Sequence, residues 1–451
     1  MRRKITEKLL EWKNRESHKA LVVSGCRQIG KTYSLTDFAK TEYPEHLYVN
    51  FEKNPETKEL FFGSKDVESI IERLELWSGK SLEPGKCLII LDEIGYCSDA
   101  FSSLKWFTDD GRYDVVASGS ILGILLDDKD DALNPVGYVE TIHMHPMDFE
   151  EFLWAMGVAQ KHIDLIRESI RERKPIDPFI LRTMHSLYRR FLVVGGMPEA
   201  VKMYAETKDY PRTRNVQTSI LSYLRGDVEK YSRKTDRIKI IRCLDSIPSQ
   251  LAKENNIFQY TDVSKANSSG RKYSSALGRL FTTDVALEAK NVNEPRAPLG
   301  TNERANSFKV YMHDCGLLMA MMDYAYAYEV VTKDPMANNG ALMECATACA
   351  IYNSGRKVRF FRRTDGRMEL DFVTSDVDGI TAIEVKSGRK KRASSLKSAI
   401  SVYGLHAVKL AEGNIMTDEL GVLHLPLFAP WFMEEETPQL DDLDYSQLTV
   451  D

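Results

Sequence analysis

Nowhere does this 451-residue chain run through the roughly 18–20 apolar residues that a membrane-spanning helix needs, so no such anchor is expected. Its amino terminus, MRRKITEKLLEWKNR, is charged and amphipathic and lacks the apolar core of a secretory signal. Cysteine is sparse as well. Seven scattered residues, an odd count without metal-ligand spacing, exclude a disulfide framework and fit reduced thiols in a cytoplasmic protein. Neither sign of charge prevails: 61 Lys and Arg stand against 66 Asp and Glu, a net charge of -5. With a pI near 6.1 the chain is not a wholly basic nucleic-acid binder, and any such binding must come from local patches. What remains is ample apolar material, 43% of the residues, enough for about two to four domains.

Against this background one segment stands out, VVSGCRQIGKTYS, in which Gly25, Gly30, Lys31 and Thr32 hold the spacing G-x-x-x-x-G-K-[ST] behind an apolar run. Ala20 to Val23 reads as a buried parallel strand and Thr32 to Lys40 as the helix after it. Glycines between them let backbone N–H groups turn toward phosphates at the helix N-terminus. The loop Gly25, Cys26, Arg27, Gln28, Ile29, Gly30, Lys31, Thr32 and Tyr33 is thus the expected nucleotide cradle. Lys31 reaches the β/γ-phosphates of ATP, and Thr32 ligates Mg²⁺. About sixty residues on, Leu88 to Leu91 form a second apolar strand ending in Asp92-Glu93. Asp92 is expected to hold Mg²⁺ and Glu93 to act as general base toward water. A third strand, Tyr113 to Ala117, runs into Ser118-Gly119-Ser120, where Ser120 is a candidate γ-phosphate sensor or an ordinary turn residue. Val49 to Glu52 supplies another short strand, and the alternation with helices argues a doubly wound α/β parallel sheet.

GCRQIGKT, LDEIGYC, ASGS, HMHPMDFEEFL and FLVVGGMPEAV, in this order, resemble the prokaryotic AAA+-type P-loop ATPases related to the STAND clade, with a C-terminal DUF4143-type PD-(D/E)xK nuclease-like domain. The resemblance covers essentially the whole chain. It implies an AAA+-like core over 1–150, a helical lid over 151–235, a winged-helix domain over 236–330, a restriction-endonuclease-like α/β domain over 331–430 and an acidic tail over 431–451. It places Gly195-Gly196-Met197-Pro198 in the lid beside the nucleotide, where the residues alone read equally well as a helix-breaking turn. The family usually carries Gly-Arg before its HMHPMDF-like segment; here stands Gly137-Tyr138, so no arginine finger is assigned.

From Asp236 the order is helix, helix, strand: a helical stretch over Ile238–Leu244, a second from Asn267 to Asn291, and a strand over Phe308–Met312. Arg271, Lys272 and Arg279 on the second helix would face a major groove in a DNA-binding winged helix, or lie on a solvated helix face in a protein-binding one. The Asn-, Pro- and Gly-rich stretch 293–307 reads as the wing or a connection.

In GRMELDFVTSDVDGITAIEVKSGRKKR, Asp371 precedes a turn and Ile380 to Ser387 forms a strand whose period of two puts Glu384 and Lys386 on one face. Asp371 and Glu384, joined by Glu344 from an upstream helix, make a candidate site for Mg²⁺, with Lys386 stabilising charge on an attacked phosphate. The order Glu, Asp, Glu-x-Lys resembles the PD-(D/E)xK nuclease fold; a half-exposed hairpin shows the same alternation. The run Arg389-Lys390-Lys391-Arg392 is a candidate grip on a DNA or RNA backbone or a solvated loop. The expected function is an ATP-hydrolysing switch coupled to a nucleic-acid-binding or -cleaving domain. The alternative is a non-cleaving signalling or scaffold ATPase whose C-terminal modules bind partners, with a homo-oligomer or protein partner open in either case.

Overall fold

The computed structural model describes residues 1–63, 66–119, 137–230, 234–264, 270–332, 340–376, 378–386 and 394–433. Contacts divide the chain into two compact units: Met1–Met147 with Met197–Arg237 and Ser275–Val285, and Asp148–Gly196 with Ile238–Ser274 and Ala286–Asp451.

In the first unit five strands, β1 (Ala20–Ser24), β2 (Glu45–Asn50), β3 (Cys87–Asp92), β4 (Asp114–Gly119) and β5 (Val139–His143), form a sheet of order β2-β3-β4-β1-β5. Every neighbouring pair is parallel. β1 and β3 are buried along their whole length, which is why both read as unbroken apolar runs rather than alternating ones. One side of the sheet packs Val22, Val49, Leu91 and Ala117 against Ile70, Leu74, Leu104 and Phe107 of the helices Val67–Ser78 and Ser98–Asp110. Because the strands are parallel, the loops leaving β1, β3 and β4 open on one edge. The helix expected after the glycine loop spans Lys31–Glu42. β2 stops at Asn50, short of the expected strand end at Glu52. The Asn50 side-chain oxygen accepts the N–H groups of Glu52 at 3.1 Å and Lys53 at 2.8 Å, turning the chain out of the sheet.

The stretch expected to be a helical lid is helical, and its helices fall in both units. Pro198–Thr207 and Tyr210–Lys230 belong to the first, Phe149–Ala155, Gln160–Arg171 and Pro178–Val194 to the second.

The second unit holds two sheets. β6 (Ala286–Val292) and β7 (Glu303–Met312) pair antiparallel and continue through β8 (Arg359–Arg362) to β9 (Glu369–Leu370) in the order β7-β6-β8-β9. β10 (Phe372–Asp376), β11 (Gly379–Val385), β12 (His406–Ala411), β13 (Met416–Thr417) and β14 (Leu423–Pro426) form the other, in the order β10-β11-β12-β14-β13. Val292, Phe361, Leu370, Val373 and Ala382 join the two sheets in one core with Leu396 and Ala399 of the helix Ser394–Tyr403. The helix Gly340–Asn353 is mostly apolar and mostly buried, with Glu344 as its one charged side chain.

Three sequence expectations are corrected here. The helix expected from Asn267 to Asn291 spans Gly270–Thr282; Asp284 takes a left-handed φ of 55° and residues from Ala286 become β6. Pairing with β7 overrides the helical propensity of Ala286-Leu287-Glu288-Ala289. The strand expected at Phe308–Met312 begins at Glu303, which shortens the wing-like connection. The sheet formed by β6, β7 and β8 also runs across the position near 330 where a domain boundary is expected. On the helix Gly270–Thr282, Lys272 is exposed and Arg279 half-buried, while the Arg271 side chain lies outside the described residues. Among the described residues no helix is long and apolar enough to cross a membrane.

Candidate functional site

The phosphate-loop motif forms a sharply bent connection between β1 and the Lys31–Glu42 helix. Gly25 has a φ of 141°, Gln28 63° and Gly30 91°, all outside the range that side chains favour. At Gly25 the restriction is also steric: a Cβ there would lie 2.2 Å from the Met144 carbonyl oxygen. Ile29 is fully buried and Cys26 nearly so, so the loop is anchored from beneath by its own side chains. Arg3 braces it from the chain's start, donating to the Ile29 carbonyl at 2.6 Å and the His145 carbonyl at 2.7 Å. Lys31 is 7% exposed, and its ammonium donates to the carbonyls of Gly25 and Cys26, both at 2.8 Å. Burial pushes its pKa below the ordinary lysine value, against the pull of Cys26, Glu93 and Asp92. Tyr33, at the end of the motif, is 56% exposed.

Asp92, at the end of β3, is where the parallel sheet gathers four side chains from three other segments. Its Oδ2 accepts from Thr32 Oγ1 at 3.0 Å, Tyr48 OH at 2.6 Å and Asn50 Nδ2 at 2.9 Å. Its Oδ1 accepts from Ser118 Oγ of β4. Burial, then the bond to Asp92, raises the Tyr48 pKa and keeps that phenol a donor. An aspartate oxygen beside a threonine hydroxyl is a hard donor pair of the kind Mg²⁺ takes together with water and phosphate oxygens, so Thr32 and Asp92 fit that ion. Glu93 follows with a left-handed φ of 54°. Its carboxylate lies 3.9 Å from Arg27, which also faces Glu52 at 3.8 Å and donates to Tyr96 OH at 3.4 Å. Burial raises the Glu93 pKa and the Arg27 charge opposes that rise.

Tyr48 and Asn50 were not singled out as site residues in the sequence, and Ser118 only as part of the Ser118-Gly119-Ser120 stretch. The one available signal was position: each lies at or near the carboxyl end of a strand of the same parallel sheet. The candidate sensor Ser120 lies outside the described residues, and Ser118, two residues earlier, makes the contact with Asp92. In the second unit, Gly196 N–H donates to Asp314 Oδ2 at 2.6 Å, and Asp314 Oδ1 caps the Cys315–Ala320 helix by accepting from Leu317 N–H at 2.7 Å. At Gly195, with a φ of 74°, a Cβ would lie 2.3 Å from Asp314 Oδ1. This explains Gly195 by close packing.

A separate carboxylate pocket in the second unit encloses about 960 Å³, and Glu344, Asp371, Glu384 and Lys386 all line it. Asp371 Oδ2 accepts the Val385 N–H at 2.8 Å across the β10–β11 hairpin. Glu384 and Lys386 share a face and form an ion pair. Glu344 Oε2 accepts from Asn256 Nδ2 at 2.7 Å and Tyr311 OH at 2.9 Å. Two further residues, absent from the sequence reading, complete the cluster. Lys309 of β7 is wholly buried with its ammonium 3.0 Å from Glu369 and 3.6 Å from Glu344. Burial alone would lower its pKa; Glu344, Asp371 and Glu369 outweigh that and hold it above the usual lysine value. Burial, with Glu344 adding to it, raises the Asp371 pKa to about 7.

Among the described residues no three His, Cys, Asp or Glu side chains converge as a metal cage. The carboxylates meet lysines, hydroxyls and N–H groups instead. One carboxylate oxygen is left over: Glu384 Oε2 is buried without a hydrogen-bond partner. With Asp371 adjacent, this fits one cation that takes the rest of its shell from water or substrate, as Mg²⁺ commonly does, and not a three-carboxylate cage. The run Arg389 to Arg392 and the acidic tail lie outside the described residues.

A family model described as an AAA domain matches residues 17–153. Two domains of unknown function follow, DUF8612 over residues 185–326 and DUF4143 over 339–426. The chain thus carries an AAA-type domain and a DUF4143 domain, and the DUF8612 match spans the expected boundary near 235. No curated protein shows significant similarity to the sequence. Solved structures it is similar to include the Walker-type ATPase PABY2304 of Pyrococcus abyssi, at 13% identity and a TM-score of 0.42 over 71% of this chain and 95% of that one. The ORC2 protein of Aeropyrum pernix in its ADPNP–ADP complexes has 14% identity and a TM-score of 0.33, over 73% of this chain and 93% of that one. The Aeropyrum pernix ORC1 protein in complex with DNA has 11% identity and a TM-score of 0.29, over 73% and 91%. At these scores the likenesses carry no conclusion about activity.

Proposed function

We propose that this protein is an ATP-hydrolysing switch whose C-terminal unit is a PD-(D/E)xK nuclease-like module acting on nucleic acid. The observation that carries the first half is the convergence of Thr32, Tyr48, Asn50 and Ser118 on Asp92, beside a glycine loop that holds Lys31. Lys31 exchanges its two carbonyl partners for phosphate oxygens, and the N–H groups opening the Lys31–Glu42 helix, which have no acceptors within the helix, face the same anion. Thr32 and Asp92 hold Mg²⁺, which when bound neutralises phosphate charge. Tyr48, Asn50 and Ser118 fix the Asp92 carboxylate and leave it an acceptor. Glu93 takes the proton of the attacking water, and the Arg27 charge beside it opposes the rise in pKa that burial causes.

Replacing Glu93 by Gln leaves ATP binding intact and lowers turnover by at least about 100-fold, the usual weight of a general base. An unchanged hydrolysis rate rejects Glu93 in that role.

For the C-terminal unit, the carboxylates and Lys386 around one pocket support phosphodiester chemistry at Asp371 and Glu384. Metal-dependent cleavage of DNA or RNA, with and without ATP, then disappears in Asp371→Ala and Lys386→Ala. One observation favours a second reading: the carboxylates already have protein partners and do not form a cage. No cleavage of any substrate beside good ATP turnover supports that reading, a scaffold ATPase whose C-terminal unit binds without cutting.

A further inference from the structure

Lys309 is an expensive residue to place where it is. It sits on β7 between the buried Phe308 and Val310, is wholly inaccessible, and lies with its ammonium 4.8 Å from the centre of the Phe360 ring. An apolar side chain of similar volume would serve packing at least as well, because a buried charge is offset only by close opposite charge. The opposite charge is the pocket itself. Four carboxylates, Glu344, Glu369, Asp371 and Glu384, line it with Lys386. Lys309 reaches Glu344 and Glu369 from beneath, and Arg362 lies 3.7 Å from Glu369. Two lysines and one arginine stand against four carboxylates, so acidic groups outnumber basic ones around the pocket. The other charged residues of the lining, Lys253, Glu254 and Asp323, are exposed and screened by water. The oxygen without a partner, Glu384 Oε2, stands on the far strand from Lys309, in β11.

We propose that Lys309 is a built-in cation that occupies the electrostatic place of a second divalent ion, so that the pocket takes one Mg²⁺- or Mn²⁺-class ion at Glu384 and Asp371. The inference rests on the nuclease-like reading of this pocket. It assigns Lys309 a positioning role: the ammonium holds Glu344 and Glu369 away from the ion and sets the number of ions bound. A pocket with two metal ions would need those two carboxylates as ligands, and the lysine keeps both engaged.

The test is the number of Mn²⁺ ions bound by the full chain without nucleotide, read from the electron paramagnetic resonance of free Mn²⁺ during titration. An Asp92→Asn background removes the carboxylate ligand of the N-terminal site. In that background one ion binds, and Asp371→Ala abolishes it. Lys309→Met frees two carboxylates and adds a second ion, or tightens the first by about tenfold through the lost repulsion. Glu369→Gln, a substitution at a half-buried position that folds more readily, leaves the lysine less compensated and weakens the first ion by about tenfold. Two ions in the unsubstituted pocket, or unchanged affinity in Glu369→Gln, overturn the inference and leave the nuclease-like reading standing. No ion sensitive to Asp371→Ala overturns both.

Discussion

Placing a methyl group on Gly25 is the sharpest local test of the phosphate loop. The added Cβ would sit 2.2 Å from the Met144 carbonyl oxygen and 2.8 Å from Ile29 Cδ1, with the Met144 carbonyl carbon at 3.2 Å. Ordinary contact begins near 3.5 Å, so the loop and Met144 must separate by about 1 Å. Met144 cannot yield freely, because its N–H is bonded to the Ser24 carbonyl at 2.8 Å, at the root of the loop. The φ of 141° adds strain of about 1–3 kcal/mol, and the overpacking costs about as much again. A 1 Å shift at a site that must position phosphates costs about 100-fold in rate. Gly111→Ala is the matched control. Its φ is 68° with nothing within 4 Å of the added carbon, so it carries left-handed strain of about 1–2 kcal/mol and no collision. Both variants are assayed for steady-state ATP hydrolysis and for binding of a fluorescent ATP analogue, with circular dichroism confirming the fold. Gly25→Ala is expected to lose hydrolysis and most binding while Gly111→Ala retains both. Equal activity in the two variants would refute the argument that close approach of Met144 shapes the cradle.

Other expectations follow from single contacts. Ser118→Ala removes the buried donor to Asp92 Oδ1, a bond to a charged acceptor of about 1.5–3 kcal/mol, and raises the Mg²⁺ concentration needed for half-maximal hydrolysis by roughly tenfold or more. An unchanged Mg²⁺ dependence excludes Ser118 from fixing Asp92. Asp314 titrates at about 6 in the folded protein against an ordinary value of 3.8, because burial outweighs the N–H bonds from Gly196, Leu317 and Gly316. The folded state therefore holds this proton more tightly. Its contribution is fully present below about pH 4 and is lost as the pH rises through about 6, an effect on the order of 3 kcal/mol. The melting temperature of the unsubstituted protein minus that of Asp314→Asn should fall across this window; a flat difference contradicts the assignment.

Much of the first unit is legible in the sequence because its chemistry is local. Gly25 to Thr32 are contiguous, and the unbroken apolar runs of β1 and β3 announce strands covered on both faces. Asp92 can be picked out as the acidic residue ending such a run. The side chains that fix it cannot, because Tyr48, Asn50 and Ser118 meet Asp92 only through the sheet order, which sets β2 and β4 on either side of β3. Arg3 is hidden for the same reason: nothing near it in the chain points to Ile29 and His145. In the second unit Glu344, Asp371, Glu384 and Lys386 are recognisable from type and order, and the structure brings them to one pocket. Lys309 is not, since a lysine in a strand normally marks a solvated face, whereas the sheets enclosing β7 bury this one. The reading of Asn267–Asn291 as one helix goes astray where Asp284 reverses the chain. Local propensity there favours helix, and the partner strand that decides the matter starts almost twenty residues later.

The central claim is that the loop at Gly25–Thr32 grips a nucleoside triphosphate through Lys31. The most direct measurement is the equilibrium affinity of the full chain for Mg–ATP, by isothermal titration calorimetry, beside that of Lys31→Ala. Loss of a buried, charge-assisted contact with phosphate is worth about 2–3 kcal/mol or more, so the variant is expected to bind at least roughly 30- to 100-fold more weakly with its fold intact. Equal affinity of the two proteins, or no binding by either, would contradict the account.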